Sequence, residues 1–162
     1  MFSEKFNLLP SWESYSLPKT EEGEEWKWKP QLDAAKFLYE QWREVFQLVE
    51  AFSDTLPETK EEQMFPDTRH MIFENAYIIA PKIMSASGDT LYEIKMENAA
   101  LIRFNCRQMM EQIGFAVLIG KGDPAHKAVI EEAVREFRLR FRHWVSLFEK
   151  DEFEDEWGLY TQ

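Results

Sequence analysis

The chain predicts an all-α fold: an up-down-up-down four-helix bundle with an extended aromatic N-terminal arm and a short acidic C-terminal tail. Three observations predict it. Four long segments repeat apolar residues at helical spacing, and no stretch alternates apolar and polar residues over a useful strand length. The links between these segments are short or modest and carry glycine, proline and aspartate, so consecutive helices return antiparallel. At 162 residues the chain fits one domain with a real core. We divide it into an arm over 1–30, a bundle over 31–150 and a tail over 151–162.

The arm interleaves aromatics, among them Trp12, Tyr15, Trp26 and Trp28, with Pro10, Pro18, Pro30 and the acids Glu21, Glu22, Glu24 and Glu25. Three prolines and weak periodicity disfavour a long helix there. The aromatics predict a segment laid on the bundle or on a second subunit, with Trp12, Trp26 and Trp28 as interface candidates.

The first helix is expected over 31–53, with Leu38, Trp42, Val45, Leu48, Val49 and Phe52 on its apolar face. A charged loop with two prolines follows over 54–66. Asp67 then offers a carboxylate to cap a second helix. That helix runs to about Ala86, with Ile72, Phe73, Ala76, Ile79, Ala80, Ile83 and Met84 inward and Pro81 inside the pattern, where it should kink the helix. Ser87-Gly88-Asp89 supplies a stop and a cap for the next start.

The third helix, 91–119, is the predicted central post, roughly 40 Å long. Leu91, Tyr92, Ala99, Ile102, Cys106, Met109, Met110, Ile113 and Val117 form its stripe, with Arg103 at the edge. Its last turns, Phe115 to Ile119, are apolar all round and predict cover on several sides. Gly120-Lys121-Gly122-Asp123-Pro124 ends it and opens the fourth helix, with Asp123 as cap and Pro124 where no N–H is needed. The fourth helix is expected to reach about Lys150, with Ile130, Ala133, Phe137, Phe141, Trp144 and Phe148 inward. The tail mixes acids with Phe153, Trp157 and Tyr160, and should dock partly through those rings.

The formal net charge is −11. Binding phosphates needs neutralising cations, so this balance argues against a broad nucleic-acid surface and against adhesion to anionic membranes. No run approaches about 18 apolar residues, so no transmembrane helix is predicted. The opening MFSEKFNLLP lacks the basic region and long apolar core of a secretory signal. The expected compartment is the cytoplasm. Cys106 is the single cysteine and falls mid-stripe, so it reads as a small buried apolar residue. The methionines Met71, Met84, Met96, Met109 and Met110 read as adaptable core filling.

A helical bundle raises the carboxylate-bridged di-metal centre, which needs inward glutamates and Glu-x-x-His pairs. No Glu-x-x-His occurs, and Glu40, Glu44, Glu74, Glu97 and Glu131 lie off their helices' apolar stripes. His70 and Glu74, four apart, read as a surface pair. His126 falls on the inward side of the fourth helix in its first turn, which suits a structural role. Gly120-x-Gly122 lacks the third glycine and preceding strand of a dinucleotide site and the Lys-Ser/Thr of a phosphate loop, so it is a helix connection. No metal, cofactor or cofactor-binding residue is indicated.

Helix four contains Arg138-Leu139-Arg140-Phe141-Arg142-His143. The Arg-x4-His spacing resembles the motif of HEPN-domain ribonucleases, which are small helical bundles and often dimers. The resemblance covers these six residues and implies that Arg138 and His143 act together on RNA. It departs from the family at Leu139, where a polar residue is usual. In the other direction, the basic stripe Arg135, Arg138 and Arg142 is explained partly by pairing of Glu131 with Arg135 and partly by cover from the acidic arm and tail.

The leading expectation is a non-catalytic interaction or scaffold protein whose partner is a second copy or another protein, with homodimerisation through the aromatic arm. A HEPN-like RNA-processing bundle using Arg138 and His143 is the alternative. A small-ligand bundle with a cavity near Met109, Met110 and Trp144 is a third.

Overall fold

The computed structural model describes residues 9–15, 23–57, 67–88 and 90–160. A 3-10 turn, Trp12–Ser14, precedes four α-helices: α1 Glu25–Asp54, α2 Thr68–Ser85, α3 Tyr92–Leu118 and α4 Pro124–Ser146. No strand occurs among the described residues. The bundle is the one the periodicity predicts. Its start and end differ by a turn or two.

α1 begins six residues before the expected position, so Trp26 and Trp28 sit on a helix rather than on an extended arm. Pro30 lies inside this first stretch. A proline so near a helix start removes one backbone bond close to the solvated end, which a helix tolerates better than a break in its middle. Ion pairs one turn apart, Lys27 with Glu24 at 3.1 Å and Lys29 with Asp33 at 2.8 Å, support the same turns. At the other end of the chain, α4 stops at Ser146, four residues short of Lys150.

The helices form a square in which consecutive helices are neighbours and no backbone approaches closely across a diagonal. α1 packs most closely on α4, and α2 on α3. An aromatic file stitches the first pair: Trp42 meets Phe137 at 5.2 Å between ring centres, and Phe141, Trp144 and Phe148 continue it along α4. Gln41 Nε2 donates to the Ala133 carbonyl at 3.0 Å, and the Arg140 guanidinium stacks 3.4 Å over Phe37. The second pair is partly polar. Asn75 Nδ2 donates to Gln112 Oε1 at 3.1 Å and to the Met71 carbonyl at 2.9 Å.

Residues 9–15 lie on α1. Leu9 is buried, Trp12 sits 5.7 Å from the Tyr39 ring, and the Tyr39 hydroxyl donates to the Pro10 carbonyl at 2.6 Å. Burial, then the hydroxyl of Tyr15 3.2 Å away, pushes the Tyr39 phenol well above its ordinary range.

The caps follow the sequence at two helices. Asp67 accepts from the Arg69 N–H at 3.1 Å, and Asp123 from the Ala125 N–H at 2.9 Å. Gly120 takes a left-handed φ of 77°, and the Lys121 and Gly122 N–H groups both donate to the otherwise orphaned Ala116 carbonyl. Asp89, the expected cap of α3, lies outside the described residues. The N-cap position of α3 is Leu91, and the first-turn N–H of Tyr92 instead donates to Asp151 of the tail at 2.7 Å.

Two expectations for α3 are corrected. Its last turns are not covered on several sides: Phe115 and Ile119 are exposed and Leu118 is 81% exposed. In a square bundle each helix keeps one face toward solvent, and apolar residues all round cannot all find neighbours. Leu91 is likewise exposed rather than part of the stripe. Conversely, Lys95, Asn98 and Asn105 are buried on α3 although their types suggest a wet face. Lys95, 6% exposed, donates to Gln31 Oε1 at 2.9 Å, with its ammonium 5.9 Å from the Trp28 ring and 5.8 Å from Phe148.

Candidate binding groove between α3 and α4

α3 and α4 touch less than any other neighbouring pair of helices. They are drawn together at both ends. At one end Gly114 faces the Lys127 stem, where a Cβ would stand 3.7 Å from Cε. At the other, the Lys95 ammonium lies against Phe148, two residues past α4. Between these points a groove of about 540 Å³ opens. Its floor is apolar: Ile102, Cys106 and Met110 from α3, and Val134, Phe137 and Phe141 from α4.

Its rails are arginines. Arg103 and Arg107 stand one turn apart on α3, and Arg138 and Arg142 one turn apart on α4. Glu111 is the sole acid in the lining. The chain has eight arginines, so half of them border this one groove. Arg69 pairs with Asp54, Arg135 with Glu132 and Arg140 with Glu136. The four rail arginines, by contrast, form no ion pair with any described residue. Four like charges facing one another across a seam repel, and this opposes closure of the middle of the α3–α4 pair.

The basic stripe is therefore divided otherwise than Glu131 suggested. Glu131 takes Lys127 at 2.5 Å, and Arg135 leans on Glu132, leaving Arg138 and Arg142 to the groove. The tail does not cover them either. Among the described residues it runs instead to the start of α3, where Asp155 accepts from the N–H groups of Trp157, Leu159 and Tyr160. Residues 16–22 of the arm lie outside the described residues.

Cys106 in the floor is buried, and that burial pushes its thiol up to about 11, slightly opposed by the nearby Arg138 charge. It is a protonated thiol at neutral pH, as its mid-stripe position predicts, and lacks the thiolate a nucleophile needs. A guanidinium offers paired N–H donors matched to a carboxylate or phosphate. Such donors on both rails with hydrocarbon between them match the chemistry of an anionic, partly apolar ligand.

The other candidates are scattered. Arg138 lines the groove, whereas His143 lies exposed in the last turn of α4 and does not. Five residues apart on one helix, the two side chains leave α4 about 140° apart. His70 Nε2 stands 3.3 Å from Glu74 on the surface. The His126 ring packs 6.4 Å from Phe52, with its buried Nδ1 lacking a hydrogen-bond partner among the described residues. Glu40, Glu44, Glu74 and Glu97 are exposed, and the described residues contain no group of three or more potential metal-binding side chains. The expected cavity near Met109, Met110 and Trp144 is displaced by part of a helix turn: Met109 and Trp144 are packed in the core, and only Met110 reaches the groove. Of the interface candidates, Trp12 and Trp28 pack on their own bundle, while Trp26 is 71% exposed.

Arg103 and Arg107 join Arg138 and Arg142 as candidates only once the two helices lie side by side. The signal was present. Both pairs have four-residue spacing and flank the apolar stripe of their helix. Compared with protein-family models, with curated proteins and with solved structures, the chain matches none.

Proposed function

We propose that this protein is a non-catalytic helical interaction module, and that its working surface is the α3–α4 groove, which receives an acidic, amphipathic protein segment. The observation that carries the reading is the set of four arginines that form no ion pair among the described residues, along an apolar floor, in a chain of net charge −11. Unpaired like charges beside a hydrophobic trough favour an occupant that brings carboxylates and apolar side chains together. The lining holds no activated nucleophile, and its one cysteine is protonated.

The test is fluorescence anisotropy with a labelled acidic amphipathic peptide and a basic peptide of equal hydrophobicity. The acidic peptide binds, more tightly at low salt, and the basic one does not. Arg138→Glu with Arg142→Glu weakens binding by about tenfold or more. Equal binding of both peptides, or indifference to the double charge reversal, contradicts the reading. The HEPN-like alternative shares Arg138 but also needs His143. It requires RNA cleavage that His143→Ala abolishes, whereas in the interaction reading His143→Ala leaves peptide affinity unchanged.

A further inference from the structure

We infer that the groove's occupant is the acidic aromatic tail of a second copy of this chain, so that two molecules exchange tails reciprocally. The inference rests on the proposed groove reading and names its ligand. Two unsatisfied surfaces of the same molecule carry it. The tail leaves Phe153 64% and Trp157 94% exposed, and Leu159 is exposed as well. Glu152, Glu154 and Glu156 lie among them and form no ion pair with any described residue. The groove presents the complement: an apolar floor and four arginines that form no ion pair with any described residue.

Within its own chain the tail sits against charge of its own sign. Glu93 of α3 is pushed up, first by burial and then by Asp155, Asp151 and Glu156 beside it. Among the described residues lining that cluster, Lys150 is the one cation. Moving residues 152–160 onto arginines exchanges repulsion for attraction, while Asp151 remains at the Tyr92 N–H of its own α3.

The dimensions agree. From Arg103 to Glu111 the groove follows about 12 Å of helix. As a helix, residues 152–160 span about 12 Å. Positions four apart share a face of a helix, so Phe153 and Trp157 meet the floor while Glu152, Glu154 and Glu156 stand on the flanks toward the rails. Two copies related by a two-fold axis satisfy both surfaces at once, each giving a tail and taking one.

Sedimentation equilibrium of the full chain tests this, with circular dichroism to verify the fold of each variant. The wild type forms a dimer. Phe153→Ala with Trp157→Ala, at exposed positions that leave the bundle untouched, and Arg138→Glu with Arg142→Glu each raise the dimer dissociation constant about tenfold or more. A synthetic peptide of residues 151–162 dissociates the wild-type dimer. Mixing the two variants restores association, because one intact tail then meets one intact groove. A monomeric wild type, or a dimer that neither variant weakens, overturns the inference. If the wild type is monomeric yet still binds an unrelated acidic amphipathic peptide through the rails, the groove reading stands and only its occupant is wrong. If neither that peptide nor the tail peptide binds, both fail together.

Discussion

Each rail arginine stands on the flank of its helix's apolar stripe, one turn from its neighbour. A guanidinium there can extend its stem over the floor and keep its head at the rim. The thiol beneath is the opposite kind of group. Burial holds Cys106 up to about 11, so below the pH range of an ordinary thiol it is uncharged, and thiolate accumulates only as the pH nears that value. At pH 7.5 iodoacetamide should therefore alkylate Cys106 about a hundredfold or more slowly than a free thiol, and the rate should keep rising with pH past 9. Rapid alkylation at neutral pH, followed by mass spectrometry, would show a thiol poised for chemistry. At this scale Cys106 was legible from its place in the stripe. Lys95, Asn98 and Asn105 were not, since their burial depends on partners such as Gln31, Trp28 and Phe148 that sequence spacing does not bring together.

The helices themselves were legible because their stripes, caps and stops agree. Asp67, Asp123 and Pro124 stand where the backbone needs them. The true start of α1 is hidden in the sequence because Pro30 mimics a boundary, although a proline near a helix start is compatible with it. The α3–α4 connection illustrates a constraint that composition alone does not reveal. A Cβ on Gly122 would meet the Phe52 ring at 2.6 Å, and Phe52 is fully buried and cannot swing aside. Gly122→Ala should cost about 1–3 kcal/mol through that overlap and lower Tm by about 3–10 °C. Gly88, with open space around it, is the control, and Gly88→Ala should leave Tm nearly unchanged. Equal melting of the two variants would contradict the packing of α1 against this turn. The groove was only half legible. Arg138 and Arg142 appeared as a stripe on α4, but their pairing with Arg103 and Arg107 is a property of two helices side by side.

Across the whole molecule, a net charge of −11 coexists with a local concentration of cations. The negative surroundings repel nonspecific anions, and the arginines stay available to a ligand that also fills the floor. None of the described helices is long and apolar enough to cross a membrane, so the exposed apolar residues of α3 and the tail have no bilayer-spanning explanation among them. In the proposed reading those surfaces meet a partner. In that reading the α3–α4 seam is the place where a partner binds. Chemical-shift mapping of the isotopically labelled protein, titrated with an acidic amphipathic peptide, tests this most directly. The predicted result is a set of perturbations confined to residues 102–111 of α3 and 134–142 of α4, with the Arg103, Arg107, Arg138 and Arg142 side chains among the largest. Perturbations centred on the α1–α2 side of the bundle, or none at millimolar peptide, would contradict it.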